Sequence, residues 1–299
     1  MKSLTIRVPG STSNCGAGFD TLGLGLQIYN TVQIQSRDDG KVVPARESDA
    51  RALAMVEEAV LAFEQNTRAT RQGFEFTITG DVPAARGLGS SVTVLAGVLA
   101  GLNRWADEPL TRDGLVKLIT ELEGHPDNAM AGVLGGFCVG RCGDTAADYR
   151  GLIRVEVPEG LKFVVVSPAV EVATKASRGV LPPQISHGDA VRSVNSAAYL
   201  TAAFISGDLA KLQGAASDFL HEPYRLPGIR GAQAAIAAGV AAGALTGWLS
   251  GSGSSVLCVA ESHTADRTAA AMRAAFTDEG VNSEARVLLA DNAGLVICD

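Results

Sequence analysis

Apolar side chains recur at alternate positions at the start of the chain. Leu4, Ile6 and Val8 are interleaved with Thr5 and Arg7, a period of two that predicts a strand. The first forty residues predict two such strands around a glycine-rich segment. The period then changes, because Ala52, Leu53, Met55, Val56, Ala59, Val60 and Phe63 fall on one face of a helix. Phe74, Phe76 and Ile78 return to alternation and predict a further strand. Residues 92–99 are almost wholly apolar and predict the buried part of a helix over 90–105. A second helix over 111–123 starts at Thr111, a suitable N-cap. Strands are expected at 134–139 and 153–157.

Pro158 and Gly160 break the pattern before the apolar run of Leu161, Phe163, Val164, Val165 and Val166, a buried strand. A domain boundary near 158 divides the chain into 1–158 and 159–299. The second part predicts helices at 191–205, 209–220 and 230–242, a strand at 256–260, a helix at 265–279, and strands at 284–290 and 294–298. Helices and strands mixed in this order predict an α+β protein of two domains, each with its sheet covered on one face.

Composition narrows the function. A chain of 299 residues that is 46% hydrophobic and 19% charged has the makings of a soluble protein with a sizeable core. A net charge of −7 with no Lys/Arg cluster excludes a nucleic-acid surface. Cys15, Cys138, Cys142, Cys258 and Cys298 are scattered with no CxxC pair, which speaks against zinc and fits a reducing, cytoplasmic setting. The N-terminal alternation does not read as a signal peptide. No charged side chain occurs between Arg230 and Glu261, but this stretch is Ala- and Gly-rich and ends in Ser250, Gly251, Ser252 and Gly253. It predicts a close-packed buried helix feeding a glycine loop, with no membrane partner.

The candidate chemistry lies in three glycine segments. Pro83, Ala84, Ala85, Arg86, Gly87, Leu88, Gly89, Ser90 and Ser91 connect the strand at 74–78 to the helix at 90–105. Glycines allow positive φ and close backbone approach, and the helix N-terminus turns free N–H groups and its dipole toward negative charge. The alternative for this loop alone is an ordinary glycine turn with a serine N-cap. Two more segments flank it in sequence, Gly10, Gly16 and Gly18 near the start and Ser250–Gly253 near the end.

Three such segments in this order resemble the GHMP kinases across nearly the whole chain. Within that superfamily the homoserine kinase family is the nearest resemblance. It rests on Asn14, Gly16, Gly18, Phe19, Asp20, Leu22 and Gly23, on Glu123-Gly124-His125-Pro126-Asp127-Asn128 with Gly135-Gly136, on Thr174-Lys175-Ala176-Ser177-Arg178, and on His221-Glu222-Pro223-Tyr224-Arg225. The chain departs from the usual pattern at Cys15, Ala17, Val92, Thr93, Ser254 and Ser255. The resemblance implies an N-terminal ribosomal-protein-S5-like domain and a C-terminal ferredoxin-like domain. It also implies ATP and Mg²⁺ as cofactors, L-homoserine as the small-molecule substrate and O-phospho-L-homoserine as product.

On that basis Pro83, Arg86, Gly87, Leu88, Gly89, Ser90 and Ser91 are the phosphate-binding candidates. Ser91 and Glu123 would hold Mg²⁺, a hard cation suited to a hydroxyl and a carboxylate, with Glu121 a competitor for the second role. Ser91, Glu123 and Asn128 are the catalytic candidates. A zwitterionic amino acid needs a cation for its carboxylate and acceptors for its ammonium. Arg178 and Arg225 are therefore expected to clamp the carboxylate, Asp20 to take the ammonium, and Asn14, Asn128 and Thr174 to complete the substrate pocket. His125 is a base by type, but His-Pro-Asp-Asn reads as a turn after the helix, and no general base is evident. A kinase of the same fold acting on another hydroxylated metabolite, and a silent nucleotide-binding relative, stay open as alternatives. A homodimer is expected from fold analogy alone.

Overall fold

The computed structural model describes residues 2–298. The alternation at the start forms β1 (Ser3–Ser13), which pairs antiparallel with the long β2 (Leu22–Arg37) and slips register between Pro9 and Gly10. β3 (Val42–Pro44), α1 (Leu53–Thr67) and β4 (Gly73–Gly80) follow, with a 3₁₀ turn at Glu47–Ala52. Next come α2 (Ser90–Trp105), α3 (Arg112–Glu123), α4 (Asp127–Leu134), β5 (Phe137–Cys142) and β6 (Tyr149–Val155). Thr111 caps α3 as expected, its side chain accepting from the Gly114 N–H at 3.1 Å.

The chain then passes to a second sheet through β7 (Leu161–Pro168), α5 (Thr174–Gly179), α6 (His187–Ser206), α7 (Glu222–Arg225), α8 (Ala232–Ala241), β8 (Thr246–Leu249), β9 (Val256–Glu261), α9 (Ala265–Asp278) and β10 (Ser283–Leu288). The last strand, β11 (Val296–Cys298), returns to pair with β1. The first sheet runs β11-β1-β2-β4-β3 with β5 and β6 continuing from β2, and the second runs β10-β7-β9-β8. One apolar core fills the space between the first sheet and α1 to α4, and another lies under α8 and α9. A third joins the two halves, setting Leu22, Leu24, Leu26 and Phe137 with Phe163, Trp248 and Leu257. Among the described residues no helix is long and apolar enough to cross a membrane.

Four expectations change. The helix expected at 209–220 is only a 3₁₀ turn at Leu209–Leu212, because Gly214 takes φ +67° and donates its N–H to the Leu245 carbonyl. The strand expected from 134 starts at Phe137, since α4 occupies the residues before it. α8 buries only one side, through Ala232, Ala235 and Gly239, so it is not buried throughout. It also leads into β8 before the glycine loop begins.

Candidate active site

The three glycine segments meet. The Gly87 carbonyl accepts from Ser250 Oγ at 2.7 Å, the Ser255 N–H donates to the Arg86 carbonyl at 3.1 Å, and the Gly251 N–H donates to the Ser13 carbonyl at 3.2 Å. Gly87 and Gly89 hold φ of +73° and +68°, and Gly89 is the N-cap of α2. The loop therefore closes directly on a helix N-terminus whose first N–H groups have no partner within the helix.

Beside it lies a cavity of about 520 Å³. Asn14, Asp20, Arg86, Gly87, Gly89, Ser90, Ser91, Glu123, Asn128, Thr174, Arg178 and Arg225 all line it, though they are spread over more than two hundred residues of sequence. Pro83 and Leu88 do not. They line a separate cleft behind the loop, where Leu88 is buried in the core that joins the two halves.

Ser91 Oγ is hydrogen-bonded to the Glu123 carboxylate. Burial pushes that carboxyl above its usual range, against the Ser91 hydrogen bond and the charge of His125. A hydroxyl and a largely dehydrated carboxylate brought together at a helix N-terminus fit a hard divalent cation. Asp20, His125 and Asp127 also cluster within 4.8 Å, but this trio carries its own cation. Nδ1 of His125 lies 2.6 Å from Asp127 Oδ1. Burial opposes the imidazolium, yet the charge and hydrogen bond of Asp127, with Asp20 and Glu123 nearby, raise His125 to about 9. Burial likewise works against the Asp127 carboxylate, but His125 holds it below the ordinary range. The Asp127 carboxylate thus favours the protonated form of the His125 imidazole.

At the other side of the cluster Arg178 grips Asp20 with two parallel bonds, Nη1 to Oδ2 at 3.0 Å and Nη2 to Oδ1 at 2.6 Å. Arg225 is buried, donating from Nε to the Ser177 carbonyl at 3.2 Å. Burial, then the neighbouring Arg178, lower Arg225 to about 10. Both guanidinium groups lie over the Phe19 ring, at 5.2 Å for Arg178 and 4.9 Å for Arg225, and His221 stacks on the same ring at 5.1 Å. The side chains of Asn14 and Asn128 are engaged in holding the loops. Asn14 accepts from the Asp20 N–H and donates to the Gly251 carbonyl, both at 3.1 Å. Asn128 accepts from Ser11 Oγ at 2.8 Å and donates to Ser13 Oγ at 3.1 Å.

The sequence motifs contained Phe19 and His221 but gave them no role, whereas the structure makes Phe19 a hub beside the buried His221, whose Nε2 lies 2.9 Å from the Gly16 carbonyl and whose Nδ1 lies 3.4 Å from Arg225 Nη1. Sequence reasoning missed the wall formed by Arg46, Ser48, Asp49 and Met55, where Arg46 clasps Asp49 at 2.9 Å and bonds the Ile78 carbonyl. No motif marked that wall.

The fold and this cleft define a GHMP kinase. The GHMP kinases N terminal domain family matches residues 54–136 and the GHMP kinases C terminal family matches 200–278. Homoserine kinase of Moorella thermoacetica is 36% identical over 98% of this chain and 99% of its own length, and that of Microchaete diplosiphon 34% over 98% and 97%. The crystal structure of homoserine kinase from Cytophaga hutchinsonii superposes with a TM-score of 0.88 at 25% identity, covering 100% of this chain and 98% of that one. The chain belongs to the homoserine kinase family.

Proposed function

We propose that the protein transfers the γ-phosphoryl group of ATP to the side-chain hydroxyl of L-homoserine, giving O-phospho-L-homoserine and ADP. The bond formed joins phosphorus to the homoserine oxygen, and the bond broken is the one from phosphorus to the β,γ-bridging oxygen. The carrying observation is the placement of two arginines and an aspartate around Phe19 in the same cavity as the Gly87–Ser91 loop. The loop N–H groups and Arg86 hold the phosphates. Ser91 and Glu123 are the residues to hold Mg²⁺, which when bound neutralises phosphate charge. The substrate carboxylate is met by Arg178 and Arg225 and its ammonium by Asp20, so one internal ion pair is exchanged for two. Asn14, Asn128 and Thr174 keep these groups in register.

Catalysis comes from positioning and charge neutralisation, and the hydroxyl proton leaves late in a loose transition state, passing to an oxygen of the transferred phosphoryl group. The division near 158, a cytoplasmic location and a homodimer belong to the same proposal. An ADP-release assay with homoserine, shikimate, mevalonate and sugars tests it. Turnover is expected with homoserine. Preferential turnover of another acceptor would reassign the substrate, and ATP binding without any turnover would make the protein a silent relative.

A further inference from the structure

Arg225 is held at several points. Nε donates to the Ser177 carbonyl at 3.2 Å, and Nη1 donates to the Gly251 carbonyl and to His221 Nδ1, both at 3.4 Å. These bonds leave Nη2 without a hydrogen bond to any described residue. His221 is fully buried and precedes Arg225 by one turn of α7, the Arg225 N–H donating to the His221 carbonyl at 3.0 Å. The imidazole is itself fixed. Asp218 accepts the N–H groups of Leu220, His221 and Glu222 at 2.9, 2.8 and 2.7 Å. Phe19 stacks on the ring at 5.1 Å, and the Gly16 carbonyl lies 2.9 Å from Nε2.

These partners set the tautomer. A carbonyl only accepts, so Nε2 carries the proton; a guanidinium only donates, so Nδ1 presents its lone pair. The neutral ring protonated on Nε2 meets both demands. Burial, with the charge of Arg225, keeps the His221 pKa below its ordinary value against the Asp218 carboxylate 3.6 Å from Nε2. We infer that His221 is a positioning residue for the carboxylate clamp, its Nδ1 lone pair engaging Nη1 of Arg225 so that Nη2 is kept for the substrate. The role rests on the clamp of the proposed function. Arg178 repels Arg225, so a guanidinium without this acceptor would swing away from the point where both must meet one carboxylate. The ring also registers the clamp to the glycine segments, because it bonds Gly16 on one side and Arg225, itself bonded to Gly251, on the other.

His221→Gln and His221→Asn separate the two nitrogens, since a glutamine amide reaches the place of Nε2 and an asparagine oxygen that of Nδ1. His221→Gln keeps the bond to Gly16 and loses the acceptor. In ADP release it is expected to raise KM for homoserine about fivefold, less than Arg225→Met, with kcat and KM for ATP within about twofold. Preference for homoserine over 3-aminopropan-1-ol, which has no carboxylate, should fall by the same factor. His221→Asn restores the acceptor and should recover most of the KM, although it leaves the larger void. A packing role predicts the reverse order, so a higher KM in His221→Asn than in His221→Gln overturns the inference, as does a loss shared equally by both alcohols. Histidine-selective nitrogen NMR of the wild type, with His221 assigned through its contact with the Phe19 ring, reads the tautomer whether or not the variants fold. A proton on Nε2 and a bare Nδ1 are expected at about pH 7, and a proton on Nδ1 overturns the role. If Arg225→Met leaves KM for homoserine unchanged, the clamp falls and this role with it. If Arg225→Met raises KM while His221→Gln does not, the clamp stands and only the role of His221 falls.

Discussion

Gly87→Ala tests whether the phosphate loop and the third glycine segment lean on each other. A Cβ built on Gly87 would run into the Ser250 carbonyl oxygen and sit 2.9 Å from the Gly253 nitrogen, both of them backbone. Gly87 also holds φ +73°, where an L residue is strained by about 1–2 kcal/mol. Part of that is offset, because alanine lowers the entropy of the unfolded chain by about 0.4–1 kcal/mol. Strain alone therefore leaves about 1 kcal/mol of destabilisation.

Gly280 supplies the control, having the same φ of +73° with no atom within 4 Å of its virtual Cβ. Gly280→Ala is expected to lose about 1 kcal/mol in urea unfolding. Gly87→Ala must in addition part the loops, giving up the bonds from Ser250 Oγ to the Gly87 carbonyl and from the Ser255 N–H to the Arg86 carbonyl. At about 1 kcal/mol each, the total rises to about 3 kcal/mol. If the loop N–H groups hold the phosphates as proposed, displacing them should raise KM for ATP by about tenfold or more, the equivalent of about 1.4 kcal/mol. ADP release with varied ATP measures it. If Gly87→Ala loses no more stability than Gly280→Ala and keeps its KM for ATP within about threefold, the loops do not meet there and the reasoning fails.

Arg178→Met and Arg225→Met should each raise KM for homoserine by about tenfold or more, while KM for ATP stays nearly constant. With the wild type, 3-aminopropan-1-ol (no carboxylate) and 4-hydroxybutyrate (no ammonium) should each lose about 100-fold in kcat/KM, and equal turnover of either would remove the zwitterion reading. His125 binds its proton more tightly folded, near 9, than unfolded, near 6.5. Its contribution is full below about 6.5 and is lost as pH rises through about 9, so His125→Gln should flatten that decline in urea titrations and lose about 3 kcal/mol at pH 6. Burial pushes Glu222 up to about 8, while its Oε1 accepts the Leu249 N–H at 2.6 Å. The folded state again holds the proton longer, so stability falls from about pH 4.5 to about 8; Glu222→Gln keeps the acceptor and should raise Tm at pH 8 by on the order of 5 °C.

Long periodic segments were legible: β1, β2, α2, α3 and α9 sit where alternation or helical spacing put them. The Gly87–Ser91 loop was legible because glycines at positive φ leave a local signature. α4 was obscured by reading His-Pro-Asp-Asn only as a turn, although Asp127 in the first turn is an ordinary helix-start signal. α5 has six residues and β8 has four, too few for a period to declare itself. The false helix at 209–220 arose because Leu212, Ala215 and Ala216 are buried at near-helical spacing for tertiary reasons. Most of the residues that line the cavity were legible, but their couplings were not. That Asp20 and Arg178 face each other is a long-range fact, joining residues 158 positions apart in the sequence.

Under the proposed function, that coupling would give the substrate end of the cavity its selectivity. Three acidic groups there, Asp20, Glu123 and Asp127, stand among three basic ones, His125, Arg178 and Arg225. The ensemble is near neutral, so a zwitterion enters without changing the net charge. Arg178 and Arg225 share one face-rich ring at Phe19, and Arg178 lowers the pKa of Arg225. A carboxylate placed between them relieves that repulsion. The same event draws Arg178 from Asp20, and an ammonium on the adjacent carbon restores the partner that Asp20 loses. A bare carboxylate would leave Asp20 short of a cation, and a sugar would have to compete with an ion pair it cannot replace. Each charge of an amino acid therefore makes room for the other.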